Sequence, residues 1–102
     1  MLKRYMQDVT VDPTEGMEPE EALHWAELAF TAARLSGLEH DDFGVFAAAH
    51  VANTQRLAND LAGARRTFER DVFSTDLDRT LEDPAVAAEV WSFYGALLID
   101  LR

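Results

Sequence analysis

The chain has 102 residues, 48% of them hydrophobic and 27% charged, with five Gly and three Pro; this composition describes one compact domain and excludes a disordered tail. Its length argues against a two-lobed enzyme around a deep cofactor cleft, and with no cysteine it has no disulfide, thiolate metal site or thiol nucleophile. Nineteen acids against nine bases give a formal charge of −10, a field that disfavours nucleic acid and anionic membranes, because both are bound through clustered Lys and Arg.

Residues 1–18 carry the breakers Asp12-Pro13 and Gly16 and no sustained period, so this N-terminal segment reads as mostly loop. It lacks the apolar core of a signal peptide, and no stretch approaches the roughly 18 to 20 apolar residues that span a bilayer, so a cytoplasmic location is expected. The helical domain is predicted over 19–102. Pro19-Glu20-Glu21 suits a first turn, where Pro needs no amide partner and carboxylates meet the positive end of the helix dipole. Leu23, Ala26, Phe30 and Ala33 form a stripe at spacings of three and four, joined by Trp25, Leu28, Ala29 and Leu35, until Ser36-Gly37 stops the helix.

Asp41 or Asp42 can cap a second helix, which carries Phe43, Val45, Phe46, Ala48, Val51, Ala52 and Leu57 and ends near Ala58. The short linker forces an antiparallel pair. Asn59-Asp60 makes a turn and a cap, and Leu61, Ala64, Phe68 and Val72 form the stripe of a third helix that ends near Phe73. The polar stretch from Ser74 to Glu82 is a loop, though Leu77 and Leu81 suggest that it packs. Asp83-Pro84 then opens a fourth helix that continues to the end of the sequence. No segment alternates as a strand does, so the expected fold is all-α, built of antiparallel helical hairpins.

Ala26-x3-Phe30-x2-Ala33 and Ala64-x3-Phe68 each resemble the second helix of a tetratricopeptide repeat, where small and aromatic residues lock two helices together. Trp91-x2-Tyr94-Gly95-x2-Leu98 is similar to the first helix of that repeat, Ala48-x2-Val51-Ala52-x2-Gln55 matches it in part, and Asn59-Asp60-Leu61 resembles its internal turn. The resemblance runs from Pro19 to Arg102 as second helix, complete repeat, first helix, a tetratricopeptide-like array of four main helices. It departs from the family in its spacing, since the family repeats every 34 residues or so whereas Ala64 follows Ala26 by 38.

The resemblance implies a protein-interaction module. In such repeats the groove is lined by first helices, where an Asn holds the backbone of a bound peptide and a nearby base meets its carboxylate. Asn53 and Arg56 stand at matching places, on the face that includes Phe46 and Ala49, with Glu89 and Ser92 at the corresponding places on the last helix.

That last helix has no successor in the array. Val90, Trp91, Phe93, Tyr94, Ala96, Leu97, Leu98, Ile99 and Leu101 fall almost all round it, whereas a surface helix keeps one polar face. A second copy, a continuation of the chain or residues 1–17 folding back could cover it; self-association through Trp91, Tyr94, Leu98, Ile99 and Leu101 is predicted, with a homodimer as the simplest form.

Catalysis is not expected. The sequence holds no phosphate-binding loop, dinucleotide fingerprint, nucleophile elbow or His-Glu-x-x-His motif. His24, His40 and His50, with Glu27 near His24, lack the repeated Glu-x-x-His that bundle metal sites use, so neither metal nor cofactor is expected. The acids Asp8, Asp12, Glu15, Glu18, Glu20, Glu21 and Glu27, with no base between Tyr5 and Ala33, support one alternative: a small regulatory or immunity-type protein that neutralises a basic partner.

Overall fold

The computed structural model describes residues 16–74, 77 and 81–102. Among these the fold is all-α, with no strand and four helices: α1 (Pro19–Leu35), α2 (Asp42–Leu57), α3 (Leu61–Thr67), prolonged by a π-helical turn over Phe68–Val72, and α4 (Pro84–Asp100). The predicted N-terminal loop lies outside the described residues over 1–15, as does the following loop at 75, 76 and 78–80.

The helix ends follow from local chemistry. Gly37, at φ +73°, takes the left-handed conformation that lets Leu38 N–H reach the Ala33 carbonyl at 2.7 Å and its own N–H reach Arg34 at 3.1 Å, closing α1. Asn59 does the same after α2 at φ +64°, with Asp60 N–H on the Gln55 carbonyl at 2.8 Å. Asp60 Oδ1 then accepts from Gly63 N–H at 2.9 Å to cap α3, and Asp83 Oδ1 accepts from Ala85 N–H at 2.9 Å to cap α4.

Helix α2 is the centre of the molecule. It packs against α1, against α3 with its π turn, and against α4, and every residue from Gly44 to Ala52 is buried. On α1 the residues buried where it packs on α2 are small, Ala22, Ala26 and Ala33, whereas Ala48, Ala49 and Ala52 of α2 belong to the core shared with α3 and α4. Gly44 has to be glycine, because a Cβ there would meet the Leu38 carbonyl and lie 2.6 Å from Glu39 Cα.

Helices α2 and α4 lie side by side in the same direction and are pinned at both ends. At their starts Asp42 accepts from Glu82 N–H at 3.0 Å and Asp83 N–H at 2.8 Å; at their finishes Arg56 Nη1 meets Asp100 Oδ2 at 3.0 Å.

The third helix departs from expectation. Its α register stops at Thr67, and Phe73 N–H bonds five residues back to the Phe68 carbonyl at 2.8 Å. Thr67 Oγ1, with its single proton, donates to Gln55 Oε1 at 2.6 Å and lies 3.0 Å from the Gly63 carbonyl, linking the end of α3 to α2. The wider turn still buries Phe68 and Val72. Four apolar residues of the expected stripes, Leu28, Leu35, Phe43 and Leu57, are exposed instead. The stretch expected as a loop over 74–82 departs from expectation at Leu77, which is helical and buried, with Leu81 N–H on its carbonyl at 3.0 Å; Leu81 packs against the core, as expected.

Candidate functional site

The groove residues proposed from the sequence are placed in two different environments. Phe46 and Ala49 are buried. The Phe46 ring stands 4.4 Å from that of His50, which also meets Phe93 at 5.0 Å and Trp25 at 6.1 Å, so these rings join α1, α2 and α4 rather than wall an open channel.

Asn53 and Arg56 are half-buried and serve each other. Arg56 Nε and Nη2 donate to Asn53 Oδ1 at 3.2 and 3.1 Å while Nη1 holds Asp100, so the planar guanidinium is engaged along two edges inside the chain. Glu89 is half-buried and Ser92 exposed on α4, away from this clasp in sequence and bonded to neither of its residues.

The predicted interface residues form the more distinctive surface. Trp91 is 48% exposed, Leu98 48%, Ile99 62% and Leu101 39%, with Tyr94 half-buried beside them. Successive helical residues turn by about 100°, so Val86, Val90, Phe93 and Leu97, three of them buried, share the inward face, Trp91, Leu98 and Ile99 lie on the outer side, and Leu101 prolongs the inward line past the end of the helix. The outer set is supported from beneath. Trp91 stacks on Phe73 at 5.2 Å, Phe73 stacks on Phe68 at 5.7 Å, and Tyr94 stands edge-on to Phe73 at 4.8 Å and to Phe68 at 5.2 Å. Each ring fixes the next, so the indole is presented on a stiff base.

A second surface lies at the N-terminal ends of α2 and α4. An open cleft of about 330 Å³ is lined by Asp41, Asp42, Phe43 and Glu82, and the Phe43 ring is exposed at its edge. Asp41 occupies the cap position of α2 without a capping side-chain bond, whereas Asp42 reaches across to the backbone before α4. Sequence reading saw only local caps at these acids, because a bond spanning forty residues leaves no local signal. The contact of Phe73 with Trp91 was missed for a similar reason, since it depends on the π turn.

Among the described residues no group of three or more His, Asp or Glu is arranged to hold a metal. His24 and His40 are exposed and His50 is buried. On the π turn Arg70 folds onto Asp71 with Nη2 2.8 Å from Oδ2; that hydrogen bond, and then the carboxylate charge, raise the guanidinium pKa above its ordinary value. No helix among the described residues is long and apolar enough to cross a membrane. Compared with protein-family models, with curated proteins and with solved structures, the chain gives no match.

Proposed function

We propose that this chain is a protein-interaction module of tetratricopeptide-like helical hairpins, which binds a protein or peptide partner and associates with itself in the cytoplasm, without catalysis or a cofactor. The observation that carries the reading is the outer side of α4, where Trp91, Leu98 and Ile99 form an exposed apolar surface among the described residues. Stacked hairpins leave their terminal helix in this condition unless a further element covers it. The order of packing, α1 on α2, α2 on α3, and α4 on both, is one that consecutive hairpins produce. With Phe46 and Ala49 buried and Arg56 clasped by Asn53 and Asp100, the binding surface moves from the first-helix groove to α4, with Ser92 and Glu89 on its flank.

The test is light scattering over a range of concentrations, for the wild-type chain and for Leu98→Glu. The wild type should rise toward twice 11.4 kDa as concentration increases. The variant should hold the single-chain mass with unchanged helical circular dichroism, because Leu98 lies outside the core. A wild type that keeps the single-chain mass throughout overturns the self-association.

The cleft of Asp41, Asp42, Phe43 and Glu82 favours a second reading, capture of a basic partner by an acidic surface. The two respond oppositely to salt. Acidic capture weakens steeply as screening rises, and apolar docking does not.

A further inference from the structure

We infer that the occupant of the outer α4 surface is a second copy of this chain, packed antiparallel to the first across a two-fold axis at Gly95. The inference rests on the self-association proposed above and adds its geometry and its response to salt.

Gly95 lies in the interior of α4, where glycine is less favourable than alanine. Among the described residues nothing calls for it. The other two helical glycines each have a neighbour where a side chain would stand: at Gly44 the backbone of Leu38 and Glu39, at Gly63 the carboxylate of Asp60. A Cβ on Gly95 meets no atom within 4 Å, and its φ is not positive. A bare backbone facing outward from a continuous helix is what a second helix needs for close approach.

The flanking residues are disposed to match. At about 100° per residue Gly95 lies opposite the buried line of Val86, Val90, Phe93 and Leu97. Trp91 precedes it by one turn and Ile99 follows it by one turn. Reversing the helix about Gly95 exchanges these two positions, so a two-fold axis there sets each Trp91 against Ile99 of the other copy, with Leu98 alongside. An indole thus meets a branched aliphatic at both ends of the contact, with no change in either backbone. The exposed parts of Trp91, Leu98 and Ile99 amount to roughly 330 Å², under half of the ~800 Å² that each partner contributes to a stable interface, so the contact extends over Ala88 and Ser92, exposed on the same side.

Charge locates the contact as well. Each chain carries −10, so two copies repel one another over most of their surface. Helix α4 holds only Glu89 and Asp100 as charged residues, and Asp100 is paired with Arg56. The pair therefore meets where the like charge is least, and added salt, by screening the remaining repulsion, strengthens it.

The experiment is sedimentation equilibrium of the full chain at about 0.05 M and about 0.5 M salt, for the wild type, Leu98→Glu, Gly95→Leu and Gly95→Cys. Gly95→Leu has open space in the single chain, so its thermal midpoint should match or exceed that of the wild type. Its dimerisation should be at least tenfold weaker. The chain has no other cysteine, so Gly95→Cys should oxidise to a single covalent dimer whose yield rises with salt. A wild-type dimer that Leu98→Glu breaks but Gly95→Leu leaves equally tight, with Gly95→Cys uncrosslinked, overturns the Gly95 axis while the α4 interface stands. A dimer that weakens with salt overturns the charge argument, while the second copy as occupant stands. A wild type that remains a single chain under every condition removes both the axis and the self-association beneath it.

Discussion

The seam between α1 and α2 and the contact between the π turn and α4 are made of opposite materials. Where α1 packs on α2, Ala22, Ala26 and Ala33 are almost wholly excluded from water, so small side chains bring α1 close to its neighbour and the seam closes. At the other contact Phe68, Phe73, Tyr94 and Trp91 form a connected set of rings that begins in the core at Phe68 and ends half in solvent at Trp91. Small residues complete a seam, whereas stacked rings carry the core outward and finish as a stiff apolar surface. The same chain thus holds a finished side and an unfinished one.

Substitutions can break or sharpen this contrast. The largest effect is expected for Phe68→Ala, which removes the fully buried first ring; a loss of about 3 to 5 kcal/mol should appear as a lower urea midpoint, together with loss of rigidity at Trp91 read by fluorescence anisotropy. Ala26→Leu should cost about 1 to 3 kcal/mol by overpacking the α1 seam, and unchanged stability there would show that the alanines are not closely opposed. Asp42→Ala frees two backbone amides and should cost about 1 to 2 kcal/mol, with faster hydrogen exchange at Glu82 and Asp83 as its signature. Trp91→Ala should lower stability by only about 1 kcal/mol, because half the ring is already in water, yet it should abolish dimerisation; a variant that stays equally associated refutes the role of the ring. Arg56→Ala should be smallest, at or below about 1 kcal/mol by denaturant titration, since its partner Asp100 is exposed.

The helix boundaries were legible because they rest on residues with strong local preferences: Pro19, Gly37, Asn59, Asp60 and Asp83 each stand where capping or left-handed geometry requires them. The excess of apolar residues on α4 was legible too, as periodicity counts residues without asking what covers them. The choice among apolar positions was not. Leu28 and Leu35 match a helical period as well as Ala26 and Ala33 do, and only the close α2 backbone selects the alanines. The groove assignment ran into the same difficulty, because Phe46 and Ala49 stand on a helix covered from three sides. The π turn leaves no pattern, since it changes the register by a single residue.

Pinning α2 and α4 side by side in one direction has an electrostatic consequence. Parallel helices set their macrodipoles alike, so two partial positive ends crowd together at the start of the pair and two negative ends at its finish. Asp41, Asp42, Glu82 and Asp83 gather at the first end, opposite in sign to the pole they face, whereas at the second end Arg56 is offset by Asp100. The acidic cleft is thus a built-in counterion for a parallel helix pair. A cationic partner docking there has to compete with the amides that already hold Asp42, while the outer side of α4 carries no such prior obligation.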